Sequence, residues 1–190
     1  SGMWGREKIH YVALSPNRVE SEMQKFIAWF DGDDAEGSVI RSAIAHFWFV
    51  SIHPFEDGNG RLARILSDML LARGEKSELR FYNISPQINK DKKHYYDILE
   101  RMQRSDGDIT EWLVWYMMKL VDALDEAEAI VSTILNKSFF WQKVSSVAMT
   151  ERQTQMLNLF LDGYEAKITS KTWAYLAKCS KDTAIRDIQD

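Results

Sequence analysis

Cysteine is nearly absent: Cys179 stands alone in 190 residues, so no internal disulfide can form, and a reducing, cytoplasmic setting is expected. No apolar run approaches membrane-spanning length, because Ser, His or a charge interrupts the longest ones. The N-terminus lacks the basic and then apolar order of a signal peptide, and no secretion signal is expected. Positive charge is not in excess either. With 24 Lys and Arg against 28 Asp and Glu, the net charge of -4 argues against a general binder of nucleic acid or membrane surfaces. Proline occurs three times, each time where a helix is expected to start or stop. What remains is ordinary globular composition, 45% hydrophobic and 27% charged, in a length that suits one domain, alone or with a small appendage.

Ile9, His10, Tyr11 and Val12 are a short β-type stretch without helical periodicity. Ser15-Pro16 then reads as an N-cap and first helical position, and Val19, Met23, Phe26, Ile27 and Phe30 recur at helical spacing up to Asp31-Gly32. From Ser38 to Ile52 the pattern is apolar on most faces, which predicts a helix in the middle of a bundle. His46 within it reads as a hydrogen-bonded core histidine. Pro54 ends that helix. The next is predicted from Arg61 to Arg73, with Leu62, Ile65, Leu66, Met69 and Leu70 inward and Gly74 as its stop. Ser85-Pro86 opens a further helix, and Asp91 to Arg104 carries Tyr95, Tyr96, Leu99 and Met102 on an inward stripe. Asp108 to Glu111 resembles a capping box before a long helix through Trp112, Trp115, Tyr116, Leu120, Val121 and Leu124, running towards Phe140.

Between the two central helices lies His53-Pro54-Phe55-Glu56-Asp57-Gly58-Asn59-Gly60-Arg61-Leu62-Ala63-Arg64. Gly58 and Gly60 let the backbone turn sharply and leave N–H groups unshielded at a helix N-terminus, where both those groups and the dipole favour an anion. Asp57 would repel a phosphate seated there unless a divalent cation stood between them, and magnesium suits one carboxylate plus phosphate oxygens. Arg61 and Arg64, one turn apart, present planar forks for a polyphosphate. His53 is the one group in the run able to take a proton from an attacking hydroxyl near neutral pH.

These residues resemble the Fic family, whose signature is H-x-F-x-[D/E]-G-N-G-R-x-x-R; His53, Phe55, Asp57, Gly58, Asn59, Gly60, Arg61 and Arg64 match every fixed position. The resemblance implies an enzyme that moves AMP from ATP to a Tyr, Ser or Thr hydroxyl of a target protein. It assigns His53 as general base, Asp57 to magnesium, Gly58, Asn59 and Gly60 to the α- and β-phosphates, Arg61 and Arg64 to the outer phosphates, and Phe55 as an aromatic plug under the loop. It places Tyr95 and Gln103 against the nucleotide, and makes Ile9, His10, Tyr11 and Val12 the tail of a flap that positions the target by strand pairing. Its first strand is missing, so a fragment of a longer protein is expected. Many members are held inactive by a helix bearing [S/T]-x-x-x-E-[G/N], whose Glu pairs with the second motif arginine, here Arg64. This chain has no such motif, which predicts an inhibitory segment upstream of Ser1 or supplied in trans.

From Thr150 three short helices are expected: one capped by Thr150 and Gln153 and closed by Gly163, one from Ser170, one from Ser180. They resemble a helix-turn-helix of the winged-helix kind, but their basic and acidic residues balance, which disfavours DNA and favours a protein partner or a structural role. The reading is therefore an all-α protein: a Fic-type helical bundle over residues 1–140 with a β-type flap remnant, a linker at 141–149, and a helix-turn-helix unit at 150–190. Alternatives are removal of AMP, transfer of another phosphate-containing group, or a nucleotide-sensing transcription regulator. A homodimer is compatible with the sequence, a membrane association is not.

Overall fold

The computed structural model of the chain describes residues 15–32, 37–76 and 80–189. Among the described residues there are nine helices and no strand, so the protein is all-α as expected: α1 (Pro16–Phe30), α2 (Ser38–Ile52), α3 (Asn59–Glu75), α4 (Ile84–Lys90), α5 (Lys92–Gln103), α6 (Thr110–Lys143), α7 (Glu151–Leu161), α8 (Ser170–Leu176) and α9 (Lys181–Gln189). The chain divides into two compact units, Ser1–Ala127 and Glu128–Asp190, and the division falls inside α6.

In the first unit α2 is the shared wall of two cores, as its all-round apolar pattern predicts. On one side Phe26 and Phe30 of α1 pack with Ala45, Phe49 and Ile52 of α2 and with Ala63 and Leu70 of α3. On the other, Ala43 meets Leu71, Ile84, Ile88, Tyr95, Ile98, Leu99, Trp112, Trp115, Tyr116 and Leu120. Each such Phe, Leu or Ile contributes about 1.5–3 kcal/mol by leaving water. The indole N–H of Trp112 donates to the Ala43 carbonyl at 2.8 Å, so even the largest buried ring has its polar atom satisfied.

The inward face of α3 differs from the one expected. Leu62, Ile65 and Met69 are exposed, and the buried positions are Ala63, Ser67, Leu70 and Leu71. Small residues win that face because α2 lies very close: the Ser67 hydroxyl donates to the Ser42 carbonyl at 3.0 Å and to its own Ala63 carbonyl at 2.8 Å. Gly74 is not the stop of α3. The helix continues to Glu75 and is capped by Lys76 in the left-handed region, while a Cβ on Gly74 would stand 2.0 Å from the Ser38 hydroxyl. Its size is demanded by packing and not by a turn. Val121 and Leu124 of α6 and Ile27 of α1 are likewise exposed where an inward face was predicted.

Polar side chains secure the mount. The carbonyls at the end of α1 have no helical partner, and two arginines supply one: Arg41 donates to Trp29 at 2.6 Å and to Gly32 at 3.2 Å, and Arg73 donates to Phe30 at 2.9 Å. Asp108 caps the start of α6 through the Thr110 N–H at 2.8 Å, but Glu111 reaches Arg101 instead of closing a capping box.

In the second unit the three helices expected after Thr150 are present. Thr150 and Gln153 form a full capping box, and Gly163 carries the chain out of α7 at φ +94°. Met156, Trp173 and Ala184 are the buried centre. Asp187 ties it together, accepting from Arg152 at 2.5 and 2.7 Å and from the Trp173 indole at 3.1 Å, and its carboxyl is held below the ordinary value chiefly by the Arg152 hydrogen bonds.

Candidate active site

α2 delivers its last residue straight into the motif. His53 takes φ +53° and ψ +56° while its N–H still donates to the Phe49 carbonyl at 3.1 Å. A left-handed conformation costs a non-glycine residue roughly 1–2 kcal/mol, and Pro54 follows with no N–H to continue the helix. The result is an exposed imidazole at an abrupt exit from a buried helix.

The chain re-enters a helix at Gly58, which caps α3 at φ +86°, a conformation that favours glycine. Between these ends the loop has no ladder to satisfy its backbone. Asn59 does this from below: buried at the first turn of α3, it accepts from the Phe55 N–H at 3.1 Å and donates to the Phe55 carbonyl at 2.6 Å. Its amide is engaged in fastening the loop, in the space where an aromatic plug was expected. Phe55 itself is 51% exposed and touches Phe49 on one side, ring centres 6.4 Å apart.

Among the described residues, a Cβ on Gly60 would meet nothing nearer than the Arg64 guanidinium at 3.7 Å, so their packing does not require glycine there. Glycine in a helix costs about 0.5–1 kcal/mol against alanine, and an open face over the first turn of α3 is what that cost leaves room for. Asp57 and Arg61 sit beside it, paired at 3.3 Å and both largely exposed, an interaction that contributes little and is easily exchanged. Among the described residues no carboxylate lies within ion-pair distance of Arg64, and no group of three or more His, Cys, Asp or Glu side chains is placed to hold a metal. The exposed carboxylate of Asp57 suits an ion that arrives already bound to phosphate.

The two residues expected from α5 lie apart. Tyr95 is buried, its phenol 3.0 Å from Nε2 of His46, and burial pushes its hydroxyl pKa up. Tyr95 and its neighbour Tyr96, the latter 46% exposed, both line a cavity of about 590 Å3 together with Arg64. Gln103 lines a separate cavity of about 340 Å3 and donates to the Ser51 hydroxyl at 3.0 Å, on the last turn of α2 before His53. Tyr96, expected on the inward stripe, is exposed instead and stands seven positions from Gln103, on the same helical face. His46 is the core histidine expected. Burial, and then the charge of Arg64, lowers its pKa to about 3, so it stays neutral. Ile9, His10, Tyr11 and Val12 lie outside the described residues.

Two central helices carry an exposed histidine, a glycine turn and two arginines on a rigid support, and this defines the class: an all-α protein with a loop suited to anionic ligands. Residues 3–71 match the Fic/DOC family. Every fixed residue of the motif lies within that match. It is similar to protein adenylyltransferase Fic of Nematostella vectensis, 33% identical over 107 residues, and to protein adenylyltransferase fic-1 of Caenorhabditis elegans, 34% identical over 65 residues. These alignments cover 54% and 33% of this chain but only 23% and 13% of the relatives, so the chain spans less than a quarter of their length. A Fic family protein from Desulfovibrio desulfuricans G20 has the same fold, with a TM-score of 0.58 at 22% identity over 98% of this chain and 51% of that one.

Proposed function

We propose that this protein transfers AMP from ATP to a hydroxyl side chain of a target protein, with pyrophosphate leaving. The observation that carries the reading is the pairing of an exposed, strained His53 with a glycine turn whose open faces meet, among the described residues, the guanidinium groups of Arg61 and Arg64. His53 takes the proton of the acceptor hydroxyl as its oxygen bonds to the α-phosphorus. The bond to the bridging oxygen breaks, and its electron pair leaves with pyrophosphate. The N–H groups at Gly58, Asn59 and Gly60 stabilise charge growing on the α-phosphate, which is where fixed donors act most strongly. Asn59 contributes by holding the loop. Arg61 and Arg64 bind the outer phosphates, Arg61 exchanging Asp57 for them. Asp57 would then hold magnesium, which supplies charge neutralisation between phosphates. Residues 9–12 would place the target, and an inhibitory glutamate, upstream or in trans, would find Arg64 without an acidic partner among the described residues.

The similarity to adenylyltransferases supports this reading over the rivals that share the same base and cradle. The test is incubation of the chain with α-labelled ATP and magnesium in a lysate beside its His53→Ala variant. Label should enter specific protein bands with the native chain, and transfer should fall by about 10²–10⁴-fold in the variant while ATP affinity stays nearly intact. Equal labelling by both, or loss of ATP binding together with transfer, would remove His53 as the base.

A further inference from the structure

The cavity beside Arg64 holds a second cation. It is lined by Arg64 of α3, by Asn83 and Ser85 at the start of α4, by Asn89 at its end, and by Lys92 and Tyr96 of α5. Among the described residues no Asp or Glu lines it, and neither Arg64 nor Lys92 has a carboxylate within ion-pair distance. Several cations elsewhere on the first unit are matched: Lys90 reaches Glu126, Arg101 reaches Glu111, Arg104 reaches Glu100, and Lys119 reaches Asp122. Two cations without a carboxylate partner among the described residues and several neutral donors face about 590 Å3 of space, beside the apolar Pro86 and Ile88, and give it a positive potential that favours a multiply charged anion.

Arg64 joins this pocket to the glycine turn, since its guanidinium is also the nearest group, at 3.7 Å, to the open face of Gly60. A phosphate chain lying on the turn therefore meets Arg64 and continues past it towards Lys92. The geometry points to a subsite for the polyphosphate leaving group between α3, α4 and α5, with Lys92 as a binding residue alongside Arg64. The inference rests on the nucleotidyl-transfer reading and extends it by saying where the departing end of the nucleotide goes. Lys92 holds the distal oxygens of the departing pyrophosphate, whose bridging oxygen takes the electron pair when the bond to the α-phosphorus breaks. A point charge at the end of a flexible stem suits a group whose charge and position change during the reaction. Lys93, its exposed neighbour, does not line the pocket and serves as the control for loss of one positive charge.

The test is equilibrium binding of ATP, AMP and inorganic pyrophosphate to the native chain and to Lys92→Ala, Lys92→Arg and Lys93→Ala, by calorimetry in magnesium buffer. Lys92→Ala should weaken ATP and pyrophosphate by about tenfold, the loss of one charge-assisted contact, and leave AMP within about twofold. Lys92→Arg should recover most of the ATP affinity, and Lys93→Ala should bind as the native chain does. ATP and AMP weakened alike, ATP unchanged in Lys92→Ala, or an equal effect in Lys93→Ala would each overturn the subsite while leaving the transfer reading standing. Failure of the native chain itself to bind ATP would overturn that reading, and the subsite with it.

Discussion

His46 ties the stability of the fold to pH through one buried ring. Its folded pKa of about 3 lies below the ordinary 6.5, because burial and then the Arg64 charge disfavour imidazolium. As pH falls through 6.5 the unfolded chain takes up a proton that the folded chain refuses until about pH 3. The stabilisation is therefore fully present above 6.5 and is lost on acidification across that window, with a slope approaching about 1.4 kcal/mol per pH unit. Carboxylates held low by a partner, such as Asp187 beside Arg152, act below the ordinary carboxylate value, further down the scale. Denaturant melts at several pH values between 4.5 and 7 should show the slope in the native chain and a shallower one in His46→Gln. The same slope in both would remove His46 as its source.

Helix α3 is seated by what it lacks. Ser67 and Gly74 put backbone against backbone with α2, and both neighbours of the catalytic-type loop are fixed by that approach. Gly74→Ala would press a methyl against Ser38, whose Cβ stands 2.2 Å from the new atom, and overpacking of this kind costs about 1–3 kcal/mol. Thermal melts should show the loss, and Ser38→Gly should restore most of it in the double variant because it removes the atoms struck. No loss in the single variant would mean that the two helices part at negligible cost. Such a contact is hard to read in a sequence: the periodic Leu62, Ile65 and Met69 outweigh a serine and a glycine in any count of apolar positions, although the small residues are the ones that face α2.

Across the molecule the two units have separate centres, the second resting on Met156, Trp173 and Ala184 with Asp187 as its polar tie. Removing the central ring by Trp173→Ala should cost about 3–5 kcal/mol, a large share of what so small a core can supply. Hydrogen exchange should then lose protection within residues 151–189 and keep it over α2, α3 and α5, with ATP binding unchanged. Loss of protection in both regions would mean that the units unfold as one.

The motif residues from His53 to Arg64, the helix boundaries marked by Pro16, Pro54 and Thr150, and the all-α class were all written in the sequence, because caps, breakers and glycine turns act through neighbours a few positions apart. Contacts between distant positions were not. That both tyrosines of the pair on α5 line the cavity, that Asn59 fastens the loop, that Gln103 meets Ser51 and that Lys92 shares a pocket with Arg64 depend on how α2, α3, α4 and α5 cross, and only the assembled cores fix that.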